Sequence, residues 1–181
     1  MSQLVYYGLV FAQFLTFCAY VVVTAGAALL QARANDLPLW ENLVGQKLKD
    51  TEDAYREVFQ STNYIIPYDH QPKYQFQYQW WIIEYELCIF LLTAALTLFP
   101  ALIPRLRPVA LTFIATALVL VMDNVNALSF LLRNDTAKQV FEEYRIATAQ
   151  AGLIMVGVAN GLTIIFLGSY EHVSSWQFGM W

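Results

Sequence analysis

A carboxylate inside an apolar run is costly in a membrane, and Asp123 lies within the apolar stretch 109–132 with no Lys, Arg or His at its depth. Insertion scales put that cost at no less than about 2.5 kcal/mol. Two states relieve it: a neutral acid satisfied locally by Asn124 and Asn126, or a hydrated group facing a watery cavity. Other polar residues recur at helical spacing. Gln13, Thr16, Tyr20 and Thr24 share one face of the first apolar stretch, and Glu86, Thr93 and Thr97 one face of the second. Thr112, Thr116, Asp123 and Asn126 form a stripe in the third, and Gln150, Gly157, Asn160 and Gly161 in the fourth. If these faces converge, they make a polar seam holding a file of water or a permeating solute. Ser, Thr and Asn also bond across packed membrane helices, and Gly157-x-x-x-Gly161 has the small-residue spacing of helix packing, so packing alone accounts for the threonines and glycines. Glu84 and Glu86 fall about a turn into the second stretch, where interfacial water reaches them.

What is missing narrows the chemistry. All ten Lys and Arg residues lie outside the apolar cores, so bicarbonate or another anion finds no fixed positive charge at mid-membrane. Neutral solutes, protons and cations are left. His70 and His172 stand outside the spans and far apart, and no nucleotide-binding glycine motif occurs, so no metal, cofactor or enzyme is expected. Cys18 and Cys88 both fall in apolar stretches, away from any exposed loop. The net charge of −4 comes without a basic run, which leaves a nucleic-acid partner no electrostatic footprint.

These residues need helices to position them, and bilayer is the solvent the composition suits. Of the 181 residues 58% are apolar and 13% charged, against roughly 25% charged in a soluble domain. Crossing about 30 Å of hydrocarbon takes about 20 apolar residues, and four stretches qualify: 4–30, 80–99, 109–132 and 146–170. The first, with no Lys or Arg before Arg33, is expected to be retained as an anchor. Pro100, Pro104 and Pro108 predict a tight turn over 99–108, and short connections make successive spans antiparallel. The fold class is an all-α membrane protein, a single domain over 1–181, built as an up-down bundle of four transmembrane helices with a large structured first loop.

That loop, 31–79, is too long for a simple connector. Asp36 and Pro38 open an expected helix with Trp40, Leu43, Val44 and Leu48 on one face, Thr51 caps another, and together they read as a lid. Tyr74, Phe76, Tyr78 and Trp80 alternate with Gln75, Gln77 and Gln79, a period that suits an extended strand or an aromatic belt at the membrane surface. Tyr7, Tyr78 and Trp80 stand near the mouths, to narrow a route or to anchor at the headgroups. The purely basic Arg105 and Arg107 turn favours cytoplasmic termini, although Arg33, Lys47, Lys49, Arg56, Lys73, Arg133, Lys138 and Arg145 lie, diluted by acids, on the other side. Asn134-Asp135-Thr136 has sequon spacing.

The layout looks like the claudin class, but the first loop has Trp40 alone and no cysteine where that class carries Trp-Gly-Leu-Trp and a disulfide. Over the whole chain, the length, loop layout, Met122-Asp123-Asn124-Val125-Asn126 and Gly157-Val158-Ala159-Asn160-Gly161 resemble the low-CO2-inducible plasma-membrane proteins of green algae, which take part in inorganic-carbon uptake. The resemblance implies a multi-pass plasma-membrane homotrimer that passes CO2 in a carbon-concentrating mechanism, with other inorganic-carbon uptake proteins as partners besides the lipid bilayer. On that reading Gln13, Thr16, Tyr20, Glu86, Asp123, Asn126 and Asn160 line the route, and Gly157 and Gly161 pack helices. Two rivals stay open: a structural tetraspan that docks a partner through 31–79, and a proton or cation pathway through Glu86 and Asp123.

Overall fold

The computed structural model describes residues 3–36, 76–133, 135, 138 and 141–169. Four long helices carry the chain: α1 (Gln3–Asp36), α2 (Gln77–Leu98), α3 (Ile103–Arg133) and α4 (Glu143–Gly168). A short 3-10 turn, Pro100–Leu102, joins α2 to α3. Each of the four is long and apolar enough to cross a membrane, and α2, with 22 residues, measures about 33 Å at 1.5 Å per residue. This is the expected all-α four-span architecture, with no strand among the described residues.

The helices stand in a ring: α1 packs on α2 and α4, and α3 packs on α2 and α4, leaving α1 opposite α3 and α2 opposite α4. Contacts between α1 and α4 run antiparallel, from Gly26 at Ala149 and Gly152 at Val23 to Gly8 under the Phe166 ring. A period of seven explains the inward faces. On α3 the buried positions are Ile103, Ala110, Ile114, Ala117, Val121, Asn124, Leu128 and Leu131, in steps of three, four and seven that hold one stripe toward the core. On α1, Val5, Leu9, Ala12, Thr16, Ala19 and Val23 keep the same rhythm.

The α1/α4 contact is the most intimate of the bundle. A Cβ at Gly26 would lie 2.5 Å from the Ala149 Cα, and one at Gly152 2.5 Å from the Val23 nitrogen. Backbone meets backbone there, which in lipid is how helices gain packing without a hydrophobic driving force. Gly157 and Gly161, the expected packing pair, are not where the helices come closest within the protomer. A Cβ at Gly157 would make ordinary contact with Val121 at 3.7 Å, and one at Gly161 meets nothing within 4 Å.

Three local expectations change. The expected strand is a helix by Gln77, with the Trp80 amide bonded to the Phe76 carbonyl at 3.2 Å. Half-buried Tyr78 and Trp80 pack against the core; near a bundle, helical contacts outweigh a period-two pattern of aromatics. The proline turn is shorter than 99–108, because α3 starts at Ile103 and takes in Pro104 and Pro108. Pro104 falls in the first turn, where its missing N–H is no loss. Finally, α1 and α3 run on to Asp36 and Arg133, beyond their apolar stretches. Asp36, expected to open the first helix of the loop, is instead the last residue of α1; the rest of the expected helices and lid, through residue 60, and the Asn134 sequon lie outside the described residues.

Candidate functional site

The most buried carboxylate of the described residues is Glu86, at 3% exposure. It is the tenth residue of α2, about 14 Å from the start of the helix and close to its middle. It is therefore no mouth group: α2 begins at Gln77 rather than Trp80, and 86 falls on the same face as the buried Ile82, Ile83, Ile89 and Thr93. Its partner comes from the opposite side of the ring. The Asn160 amide on α4 donates to both carboxylate oxygens, at 3.0 and 3.2 Å, and is itself 1% exposed. The bond crosses the bundle axis, and no described cation shares it. Arg33, Arg105, Arg107, Arg133, Lys138 and Arg145 all stand at or beyond helix ends.

Nearer the turn-bearing end, Gln13 on α1 holds α2 with both ends of its amide. Its Nε2 donates to the Phe90 carbonyl at 3.0 Å and its Oε1 accepts from the Thr93 hydroxyl at 2.8 Å. Thr16, buried on the same face of α1, returns its hydroxyl to the Ala12 carbonyl at 2.9 Å, and Thr97 does likewise to Thr93; the single Thr93 proton has the Ile89 carbonyl, at 2.9 Å, as an alternative acceptor to Gln13. Half-buried Tyr20 packs against the apolar core. Toward the other end, the Gln150 amide on α4 donates to the Ser129 hydroxyl on α3 at 2.6 Å. The structure thus brings together the stripes of α1, α2 and α4, as Gln13 with Thr93 and Glu86 with Asn160.

The α3 stripe does not join them. Thr112, Thr116, Asp123 and Asn126 are all exposed on the outer surface of the protomer. The reason is angular: Asp123 follows the buried Val121 by two residues, which at about 100° each turns it to the far side of the helix. Asn124 is the inward polar residue of α3, fully buried, with its amide donating to the Leu120 carbonyl at 3.0 Å. The heptad 110, 114, 117, 121, 128 already gives its phase, whereas choosing residues by polarity alone selects the wrong face.

On the axis, beside Asn124, all four helices border a cavity of about 10 Å³. Val23, Ala27, Ile82, Ile83, Ala149 and Leu153 line most of it. Ion pairs fasten the helix ends beyond it. Arg145 donates to the Leu29 carbonyl of α1 at 3.0 Å and meets Glu142 at 3.1 Å, with Arg33 at 4.0 Å from the same carboxylate. Tyr144 and then Arg145 hold the Glu142 carboxyl below its usual range by hydrogen bonding. At the opposite end Arg107 donates to the Gly168 carbonyl at 2.9 Å, a cation at the negative end of α4. No cluster of His, Cys, Asp and Glu suited to a metal occurs among the described residues.

The helical fold has a solved counterpart in the crystal structure of the Chlamydomonas reinhardtii LCI1 channel. The two share 68% sequence identity over 93% of this chain and 98% of that one, with a TM-score of 0.83. The chain belongs to the LCI1 family. Comparisons with family models and with curated proteins give no match. The likeness to LCI1 spans nearly the whole of both chains, so the helices that carry Glu86 and Asn160 fall within it.

Proposed function

We propose that the chain is a plasma-membrane channel for inorganic carbon, passing it as CO2 in a carbon-concentrating mechanism. The observation that carries this reading is an axial seam of amides, hydroxyls and one carboxylate with no cation at its depth. Bicarbonate entering such a seam meets Glu86 and no compensating charge, whereas an uncharged molecule bears no Coulomb penalty. The LCI1 neighbour is itself a channel, which supports the same class for this chain. Because Glu86 and Asn160 reach across the axis from opposite helices, their bond is the constriction a solute has to pass.

The outer stripe of α3 fits a homotrimer. Asp123 and Asn126 are exposed in the protomer, and lipid penalises both, whereas a neighbouring subunit covers them or keeps water beside them. Cytoplasmic termini follow from Arg105 and Arg107 in the short turn region. The direct test is stopped-flow CO2 entry into proteoliposomes of low intrinsic gas permeability, with bicarbonate and potassium as controls. A proton path is the second reading, favoured by the mid-span position of Glu86, and it requires proton flux that Glu86→Gln abolishes.

A further inference from the structure

We propose that Phe76 and Phe141 form an apolar plug across the loop-side end of the axial seam, with Glu142 as the latch that holds it shut; as a gate, the plug rests on the channel reading above. Position is the first argument. Phe76 directly precedes α2, and Phe141 stands two residues before α4, and these helices occupy opposite corners of the ring. Their aromatic rings nevertheless meet edge to face, with centroids 5.6 Å apart, so they meet across the axis. They are 2% and 0% exposed, and they are the only aromatic side chains in the buried core of the described residues. The cluster that holds them also takes Leu30 and Ala34 from α1 and Leu128 and Leu131 from α3. An apolar constriction of this kind closes a route by excluding water from it.

Backbone conformation is the second argument. Glu142, directly after Phe141, has φ 63° and ψ 114°, the only positive φ among the described residues. Residues with side chains rarely take φ above zero, and the left-handed region they do enter ends near ψ of about 60°. Such a conformation persists only where the surroundings hold it, and it recurs in switch regions. Here the surroundings hold it by charge. The Glu142 carboxylate accepts from Arg145 at 3.1 Å and faces Arg33 of α1 at 4.0 Å, while Arg145 also donates to the Leu29 carbonyl of α1 at 3.0 Å. When these contacts are lost, the backbone relaxes toward negative φ and turns Phe141 away from Phe76.

The experiment uses a membrane-impermeant methanethiosulfonate, applied from the side of the 31–79 loop to Ile83→Cys in the full chain without Cys18 and Cys88. Ile83 is 3% exposed and lies on α2 between Phe76 and Glu86, so the reagent reaches it only past the plug. The expected result is slow labelling with the plug intact and severalfold faster labelling in two variants: Phe141→Ala, which removes one ring, and Glu142→Gln, which keeps both rings and weakens the latch. Ile114→Ala takes a side chain from the buried core nearer the other end and should leave the rate unchanged. If Phe141→Ala fails to fold, Glu142→Gln decides alone. Labelling behind the unaltered plug as fast as in either variant, or an equal rise in Ile114→Ala, overturns the proposal. CO2 entry into the same vesicles separates the plug from the channel reading. Labelling gated as expected without accelerated CO2 entry keeps the plug and removes the channel. Accelerated CO2 entry with labelling unmoved by the variants does the reverse.

Discussion

Replacing Glu86 by Gln keeps an acceptor for the Asn160 amide, whereas Asn160→Leu leaves the carboxylate buried without its donor. We therefore expect Asn160→Leu to lose on the order of 1–3 kcal/mol, seen as a lower melting temperature in detergent, and Glu86→Gln to lose much less. Equal losses would mean that the bond across the axis contributes nothing in particular. Glu142 gives the pH dependence. Its carboxyl is held below the usual range by Tyr144 and Arg145, so its contribution is present above the unfolded pKa, about 4.3, and is lost as pH falls through the lower folded value. The difference in melting temperature between the unaltered chain and Glu142→Gln should be present at pH 7 and vanish in acid. A difference that persists below the carboxylate range contradicts the assignment. At this scale the sequence was legible in residue type more than in direction. Gln13, Glu86 and Asn160 were singled out by their cost in lipid and do meet partners, but Asp123, chosen on the same ground, faces outward because cost says nothing about azimuth.

At the scale of elements, the close seam between α1 and α4 rests on Gly26 and Gly152. A methyl at either would lie 2.5 Å from the facing backbone, so Gly26→Ala and Gly152→Ala must push the helices apart, at about 1–3 kcal/mol each. Gly161→Ala, with nothing within 4 Å, should leave the monomer's thermal stability unchanged. Comparable melting shifts for all three would refute the assignment of the seam. The number and order of the helices were readable because each crossing needs about 20 apolar residues and each short connector enforces an antiparallel neighbour. Their ends were less so: α3 absorbs two prolines that read as turn formers, and α2 starts among glutamines and aromatics whose alternation mimics a strand. The spacing Gly157-x-x-x-Gly161 was legible as a motif, but which of several small-residue sets two helices use depends on rotation about their axes, which only packing decides.

For the whole molecule, Asp123 and Asn126 face outward while the seam faces inward, so the roles proposed for them are tested separately. If a second copy covers the α3 stripe, Asp123→Arg should dissociate the assembly in detergent, measured as particle mass, without unfolding the protomer; an unchanged mass removes that role. Sidedness is tested by an impermeant thiol reagent on Arg105→Cys in a background without Cys18 and Cys88, which should label from the cytoplasmic side. The central claim is that uncharged inorganic carbon passes the seam, and its most direct test is CO2 entry into carbonic-anhydrase-loaded proteoliposomes of low gas permeability. The account predicts faster CO2 entry than in empty vesicles, altered by Asn160→Leu, with bicarbonate and potassium fluxes unchanged. CO2 entry no faster than in empty vesicles would contradict it and leave a structural tetraspan as the better description.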